Sequence, residues 1–260
     1  MNEYEIFLKI IKLIKEVDFE IDVNVSVFET SIRVLGGLLS SHLIVVGNPN
    51  ISKGYDGILL LKAVILADLL LPAFDTPTGL PYGTINLLHG VPKGETPVTC
   101  TACAGTFHIE WAWLSLLTGD SKYEHASRKS MRALWNSRSN IGLFGSHINI
   151  ETGEWVYREC SIGGGVDSYY EYLLKTYVAF SDEVEFGEMF LESYKAIKKY
   201  LRRGGLHYDV DVNTGSVLLT NMHSLGAFWP GGSEFEIKVI KKEINQALFM
   251  DCVDGLLRLA

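Results

Sequence analysis

The feature that most limits what this chain can fold into is the recurrence of apolar residues at helical spacing along most of its length. Phe28, Ile32, Leu35 and Leu39 fall on one stripe of a helix running from about Ser26 to Leu43. The same periodicity predicts helices at about Gly57 to Leu71, Gly105 to Leu117, Ser121 to Ser137, Ser168 to Phe180 and Phe186 to Arg203, with a last one near Glu234 to Met250. Ser26-x-x-Glu29, Ser121-x-x-Glu124 and Ser168-x-x-Glu171 each match a capping box, in which a serine and a glutamate satisfy orphan amides at a helix start. Two hairpins are expected between helices. One turns at Glu151-Thr152-Gly153 between Leu143–Ile150 and Glu154–Glu159, the other at Asn213-Thr214-Gly215. They recur about sixty residues apart, each behind a helix, which points to a helix-pair-plus-hairpin repeat closing into a toroid. The fold class is therefore all-α with short β-hairpins between helices.

Five of the seven prolines, Pro72, Pro77, Pro81, Pro92 and Pro97, crowd the stretch from Leu71 to Cys103, so that stretch cannot be a helix. A long connection without regular structure usually lines a site or a partner surface. No linker or low-complexity segment interrupts residues 1–260, which read as one domain.

At the N-terminus, Ile6, Phe7, Ile10, Ile11 and Ile14 are spaced as in an amphipathic helix, interrupted by charges that a secretion signal would not carry. No other run is expected to span a bilayer. A net charge of −8 without a dense cluster of Lys or Arg argues against nucleic acid as a partner. The four cysteines, Cys100, Cys103, Cys160 and Cys252, are too few for a disulfide scaffold. Cys100 and Cys103 form a C-x-x-C pair, but neither a second pair for zinc nor a thioredoxin-like βαβ context accompanies it, so buried thiols or a local disulfide are the expectation. Asn24-Val25-Ser26 and Asn50-Ile51-Ser52 are sequons that permit glycosylation.

A Walker A loop, H-E-x-x-H and G-x-S-x-G are all absent, and Gly163-Gly164-Gly165 lacks the Rossmann spacing. The candidate chemistry rests on carboxylates. Glu29 has Arg33 four residues on, Glu110 lies in the aromatic run His108-Ile109-Glu110-Trp111-Ala112-Trp113, and Asp167 ends the glycine-rich loop. Glycoside hydrolysis needs one carboxylic acid to protonate the leaving oxygen and one carboxylate to activate water or attack carbon. Each residue also has a purely structural reading. Glu29 can be a capping residue with a surface ion pair, and Asp167 can be an acidic residue favoured by a helix dipole. Glu110 is harder to explain that way, because its neighbours leave little polar face.

The segments "SVFETSIRVLGGLLSSHL" (26–43), "LLLPAFDTPTGLPYGTINLLHGVPKGETPVTCTA" (69–102), "LSLLTGD" (114–120), "GGGVDSYYEYLLK" (163–175) and "AFWPGG" (227–232) occur in order. Together they resemble the class I α-1,2-mannosidases, glycoside hydrolase family 47, and most closely the branch that promotes degradation from the endoplasmic reticulum. The resemblance implies an (α/α)7 barrel, inversion without a covalent intermediate, and one Ca2+ at the base of the pocket. By the same resemblance Glu29 is the catalytic acid, Asp167 helps position water, Arg33 binds substrate beside Glu29, and Glu110 is a pocket carboxylate. The proline-rich segment lines the pocket.

The implied activity is removal of terminal mannose from high-mannose N-glycans of misfolded glycoproteins in the endoplasmic reticulum lumen, with oxidoreductases or chaperones of that compartment as further partners. A non-catalytic, lectin-like mannose-binding module is the alternative. The family's first helix pair, its "LRPE"-type motif with a second catalytic glutamate, and its calcium-ligating threonine do not occur in this sequence. The expectation is thus a partial toroid, incomplete at both ends, inactive by itself and prone to aggregate. Leu116 and Cys103 also replace the family's usual residues, and 233–260 diverges from the family pattern.

Overall fold

The computed structural model describes residues 3–180, 183–220 and 224–230. Helix α1 spans Glu3–Lys15 and α2 spans Val27–Val46. Helix α3 is Ile58–Leu70, α4 Thr101–Gly105, α5 His108–Thr118, α6 Lys122–Asn136, α7 Asp167–Ala179 and α8 Val184–Tyr200. Consecutive helices pair: α2 packs on α3, α5 on α6, and α7 on α8. The predicted element near Glu234 to Met250 lies outside the described residues, as does Cys252.

Each of the two later pairs is followed by a hairpin, as the repeat predicts. Strand β4 (His147–Asn149) pairs antiparallel with β5 (Trp155–Tyr157), and β3 (Val98–Cys100) adds a third strand on β4 in the register Val98↔Asn149 and Cys100↔His147. After α8, β7 (Asp209–Asp211) pairs with β8 (Val217–Leu219), and β6 (Glu159–Cys160) completes that sheet through Cys160↔Val210. The proline-rich segment contributes a 3-10 turn at Leu71–Phe74 and the short strand β2 (Thr84–Asn86), which pairs with β1 (Asn24–Ser26) at the mouth of α2. It is not helical until Thr101.

The core divides into two packed regions. Leu35, Leu39, Leu59, Leu66, Leu70 and Trp111 centre one, while Leu134, Phe144, Tyr169, Tyr170, Phe190 and Ile197 centre the other. Removing such side chains from water supplies about 1.5–3 kcal/mol each.

Several local readings need correction. The helix expected from Gly105 to Leu117 starts at His108; Gly105 ends the short α4, and Thr106 and Phe107 separate the two. At Gly105 the backbone runs so close to the Tyr169 ring that a β-carbon there would collide with it. Of the three capping boxes only Ser26 caps, accepting the Glu29 N–H at 3.2 Å. Ser121 makes no side-chain cap; Asp120 and Ser115 take the Lys122 and Glu124 amides at 3.1 and 2.9 Å. Ser168 lies inside α7, where its Oγ accepts from Thr106 Oγ1 at 2.8 Å. In α2 the buried residues are Val27, Ser31, Leu35, Leu38, Leu39, His42 and Val45, so Leu35 and Leu39 are buried as expected while Phe28 and Ile32 are half-buried. In α1 only Ile11 is fully buried, whereas Ile6 and Ile10 are exposed. Finally, α2 is long and apolar enough to cross a bilayer by length and composition, which the sequence reading did not expect. It packs as a core helix against α3 and α5.

Candidate active site

The site begins where β1 runs into α2. Ser26 pairs with Thr84 across the β1–β2 ribbon and caps the first turn, which fixes the direction in which Glu29 leaves the backbone. From Thr30 to Leu35 the helix widens into a π-helical turn. Such turns concentrate at functional sites because they re-aim side chains at a cost in regular hydrogen bonding. Arg33 Nε donates to Glu29 Oε2 across this turn. Both side chains are well exposed, at 71% and 48%, and an exposed ion pair of this kind adds only about 0.3–0.5 kcal/mol. The pair therefore contributes little to stability while leaving two opposite charges open to a ligand.

Glu110, on α5, faces the same helix. A β-carbon on Gly36 would lie 3.4 Å from Glu110 Cγ, and the next residue, Trp111, donates its indole N–H to Ser31 Oγ at 3.4 Å. On its other side Glu110 meets α7, where the Tyr172 hydroxyl donates to Oε1 at 2.8 Å. Oε2 is buried and has no hydrogen-bond partner among the described residues. Burial pushes this carboxyl up to about 7, against the lowering effect of the Tyr172 hydrogen bond. A carboxyl with that balance exchanges protons near neutrality, as acid–base chemistry requires.

Asp167 is the first residue of α7. The loop before it turns through Gly165, whose φ of 92° lies in the region open to glycine. Its amide donates to Gly163 O at 3.0 Å, and Gly165 O accepts from Ala102 N of α4 at 2.8 Å. The loop thus rests on α4, and α4 in turn packs against the Val27–Glu29 turn. The structure brings Glu29 and Arg33 into direct contact. It sets Glu110 between α2 and α7, through Gly36 and Tyr172, and places Asp167 at the start of α7. A cavity of about 300 Å³ lies beyond the glycine loop, bordered by Gly163, Tyr194, His207 and Trp229; none of the four sequence-identified residues lines it.

Sequence reasoning missed Tyr172, although its place in the Tyr-rich run 169–172 of the quoted motif was a usable signal. It also missed a polar cluster between α5, α6 and α8. Arg128 there pairs with Glu124, Glu183 and Glu185 and stacks on Phe186. His108 is buried beside it, with Nδ1 on Ser127 Oγ at 2.9 Å and Nε2 unpaired among the described residues. Burial holds this imidazole down at about 3, with Arg128 and Arg132 adding to the effect. Arg128 is separated from its partners Glu183 and Glu185 by 55 and 57 residues, too far for any local pattern to reveal.

Ca2+ takes about six to eight oxygen ligands. Among the described residues, the grouping of acidic or imidazole ligand atoms close enough to hold an ion is His108, Glu124 and Glu183, within 4.8 Å of one another. One of its ligands is a nitrogen, and both carboxylates are already held by Arg128. These residues do not fit calcium.

Paired helices with hairpins between them form a partial helical toroid, and it carries an exposed acid–arginine pair and a buried carboxyl. Residues 1–254 match the model of glycosyl hydrolase family 47, and the chain belongs to that family. It is 50% identical over 229 residues to the ER degradation-enhancing alpha-mannosidase-like protein 2 of Homo sapiens, covering 86% of this chain and 39% of that protein. Alpha-mannosidase I MNS4 of Arabidopsis thaliana is 43% identical over 236 residues, covering 90% of this chain and 37% of that protein. Among solved structures, the alpha-1,2-mannosidase from Trichoderma reesei superposes with a TM-score of 0.78 at 27% identity, over 98% of this chain and 55% of that one. The chain spans well under half the length of the curated relatives it matches.

Proposed function

We propose that this chain supplies the acid and the sugar-binding side of an α-1,2-mannosidase acting on high-mannose N-glycans of misfolded glycoproteins in the endoplasmic reticulum lumen. The reading rests on family membership and, within the structure, on one observation. The buried carboxyl of Glu110 joins the helix that carries Glu29 and Arg33 to the helix that Asp167 opens. In the reaction, Glu29 gives its proton to the glycosidic oxygen as the C1–O bond breaks. Asp167 helps orient the water whose oxygen bonds to C1 from the opposite face, which inverts the anomeric carbon. Arg33 orients the sugar beside Glu29, and Glu110 shapes the pocket floor. Ca2+, if the whole protein holds it, takes ligands other than the group His108, Glu124 and Glu183. Oxidoreductases or chaperones of the same compartment are the further partners this reading carries.

The test is Glu29→Gln in the whole protein, assayed for mannose release from a high-mannose glycan and, separately, for glycan binding. Loss of a positioned acid removes about 10²–10⁴-fold of rate, so release falls by that factor while binding persists. Undiminished release overturns the assignment of Glu29. Glycan binding without release by the wild type favours the lectin-like alternative.

A further inference from the structure

Cys100 and Cys103 form a disulfide, and the surroundings of Cys100 are those of a sulfur that exchanges. Cys100 ends β3, and the Cys103 amide donates to its Sγ at 2.9 Å. Directly across the ladder from Cys100 stands His147, and residues directly opposite in an antiparallel pair project on the same face of the sheet. Both cysteines and His147 are half-buried. Burial holds the His147 imidazole below its ordinary range, against the raising effect of Glu159, so the ring is neutral and able to take up a proton; the Tyr157 ring packs edge-on against it at 4.9 Å. By contrast Cys160 is a free thiol with no exposed surface.

We propose that Cys100–Cys103 is a thiol–disulfide exchange site that accepts electrons from a dithiol, protein-borne or small. The incoming thiolate attacks Cys100 Sγ. The bond between Cys100 and Cys103 breaks, and Cys103 leaves as a thiolate that takes up a proton. The second thiol of the reductant then attacks the mixed disulfide, displacing Cys100 as a thiolate, and the reductant departs as a disulfide. Two electrons pass from the dithiol to the cysteine pair. The Cys103 amide stabilises the Cys100 thiolate, and His147 stands where it can exchange the proton.

The exchange has a route to the glycan site. Between the two cysteines, Ala102 N donates to Gly165 O of the loop before Asp167 at 2.8 Å, and Thr101 Oγ1 donates to Gly145 O, just ahead of β4, at 2.6 Å. The exchange itself does not depend on mannosidase activity, so its test does not either.

The experiment reads thiols. The full chain is equilibrated with graded glutathione buffers, trapped with an alkylating reagent and mapped by peptide mass. Cys100 and Cys103 become labelled together while Cys160 remains protected. In Cys103→Ser, Cys100 forms a mixed disulfide with glutathione, and the pH midpoint of its reaction falls below the ordinary thiol value of about 8.5. His147→Gln slows that reaction, because the base that stands across the ladder from Cys100 is lost. Resistance of the pair to reduction until Cys160 is also labelled overturns the proposal. A midpoint for Cys100 at or above the ordinary value overturns it as well, and the wild-type equilibrium decides the matter if Cys103→Ser does not fold.

Discussion

The Tyr172 hydroxyl donates to Glu110 Oε1 at 2.8 Å, tying a carboxyl on α5 to the helix that Asp167 opens. That bond favours the charged carboxylate, while burial opposes it more strongly. Tyr172→Phe is therefore expected to raise the Glu110 pKa above about 7. Carbonyl-region infrared titration, with Glu110→Gln to assign the band, measures it. An unchanged or lowered midpoint contradicts the assignment.

Glu110 also makes stability depend on pH. Its carboxyl moves from 4.5 in the ordinary state to about 7 in the fold, so between those values the folded chain holds a proton that the unfolded chain has lost. Folding is then progressively disfavoured as pH rises through that window, by on the order of 3 kcal/mol in all, and the loss is complete above it. Urea midpoints at about pH 5 and about pH 8 should differ in the wild type, and Glu110→Gln should shrink the difference. Equal slopes in the two proteins contradict this.

Arg128 is the cation of a partly buried cluster of three carboxylates. Replacing it with Ala leaves Glu124, Glu183 and Glu185 facing one another with only Arg132 beside them. Breaking such a cluster costs about 3 kcal/mol, and thermal unfolding should show a clearly lowered Tm. A Tm within a degree or so of wild type would mean the cluster is solvated in solution.

Gly105→Ala forces a β-carbon to 2.3 Å from the Tyr169 ring. Tyr169 is fully buried and its hydroxyl is bound to Met131 O, so the ring has no free direction in which to move. The expected cost is about 1–3 kcal/mol, as for other overpacked cores. Chemical denaturation checks it.

The helices and both hairpins were legible because burial on one face imposes a period that a sequence must keep. Ser26 was readable as a cap because its contacts lie within one turn. What the sequence hid lies in contacts between distant segments. Gly105 closes against Tyr169, 64 residues on, and Ser168 accepts from Thr106 rather than making its expected cap. The π-helical turn at Thr30–Leu35 keeps an ordinary helical pattern, so no residue announces it. The candidate site was visible only as carboxylates in particular motifs, and the Tyr172 bond that ties Glu110 into it spans 62 residues.

The central claim is that the segments bearing Glu29 and Arg33, Glu110, and Asp167 together hold one mannose. Hydrogen exchange followed by mass spectrometry, with and without a saturating high-mannose glycan, measures this directly. The account predicts slowed exchange in three places at once: the first turns of α2, the first turns of α5, and the glycine loop with the start of α7. Protection confined to one of them, or found only around the cavity bordered by Tyr194 and Trp229, would contradict it.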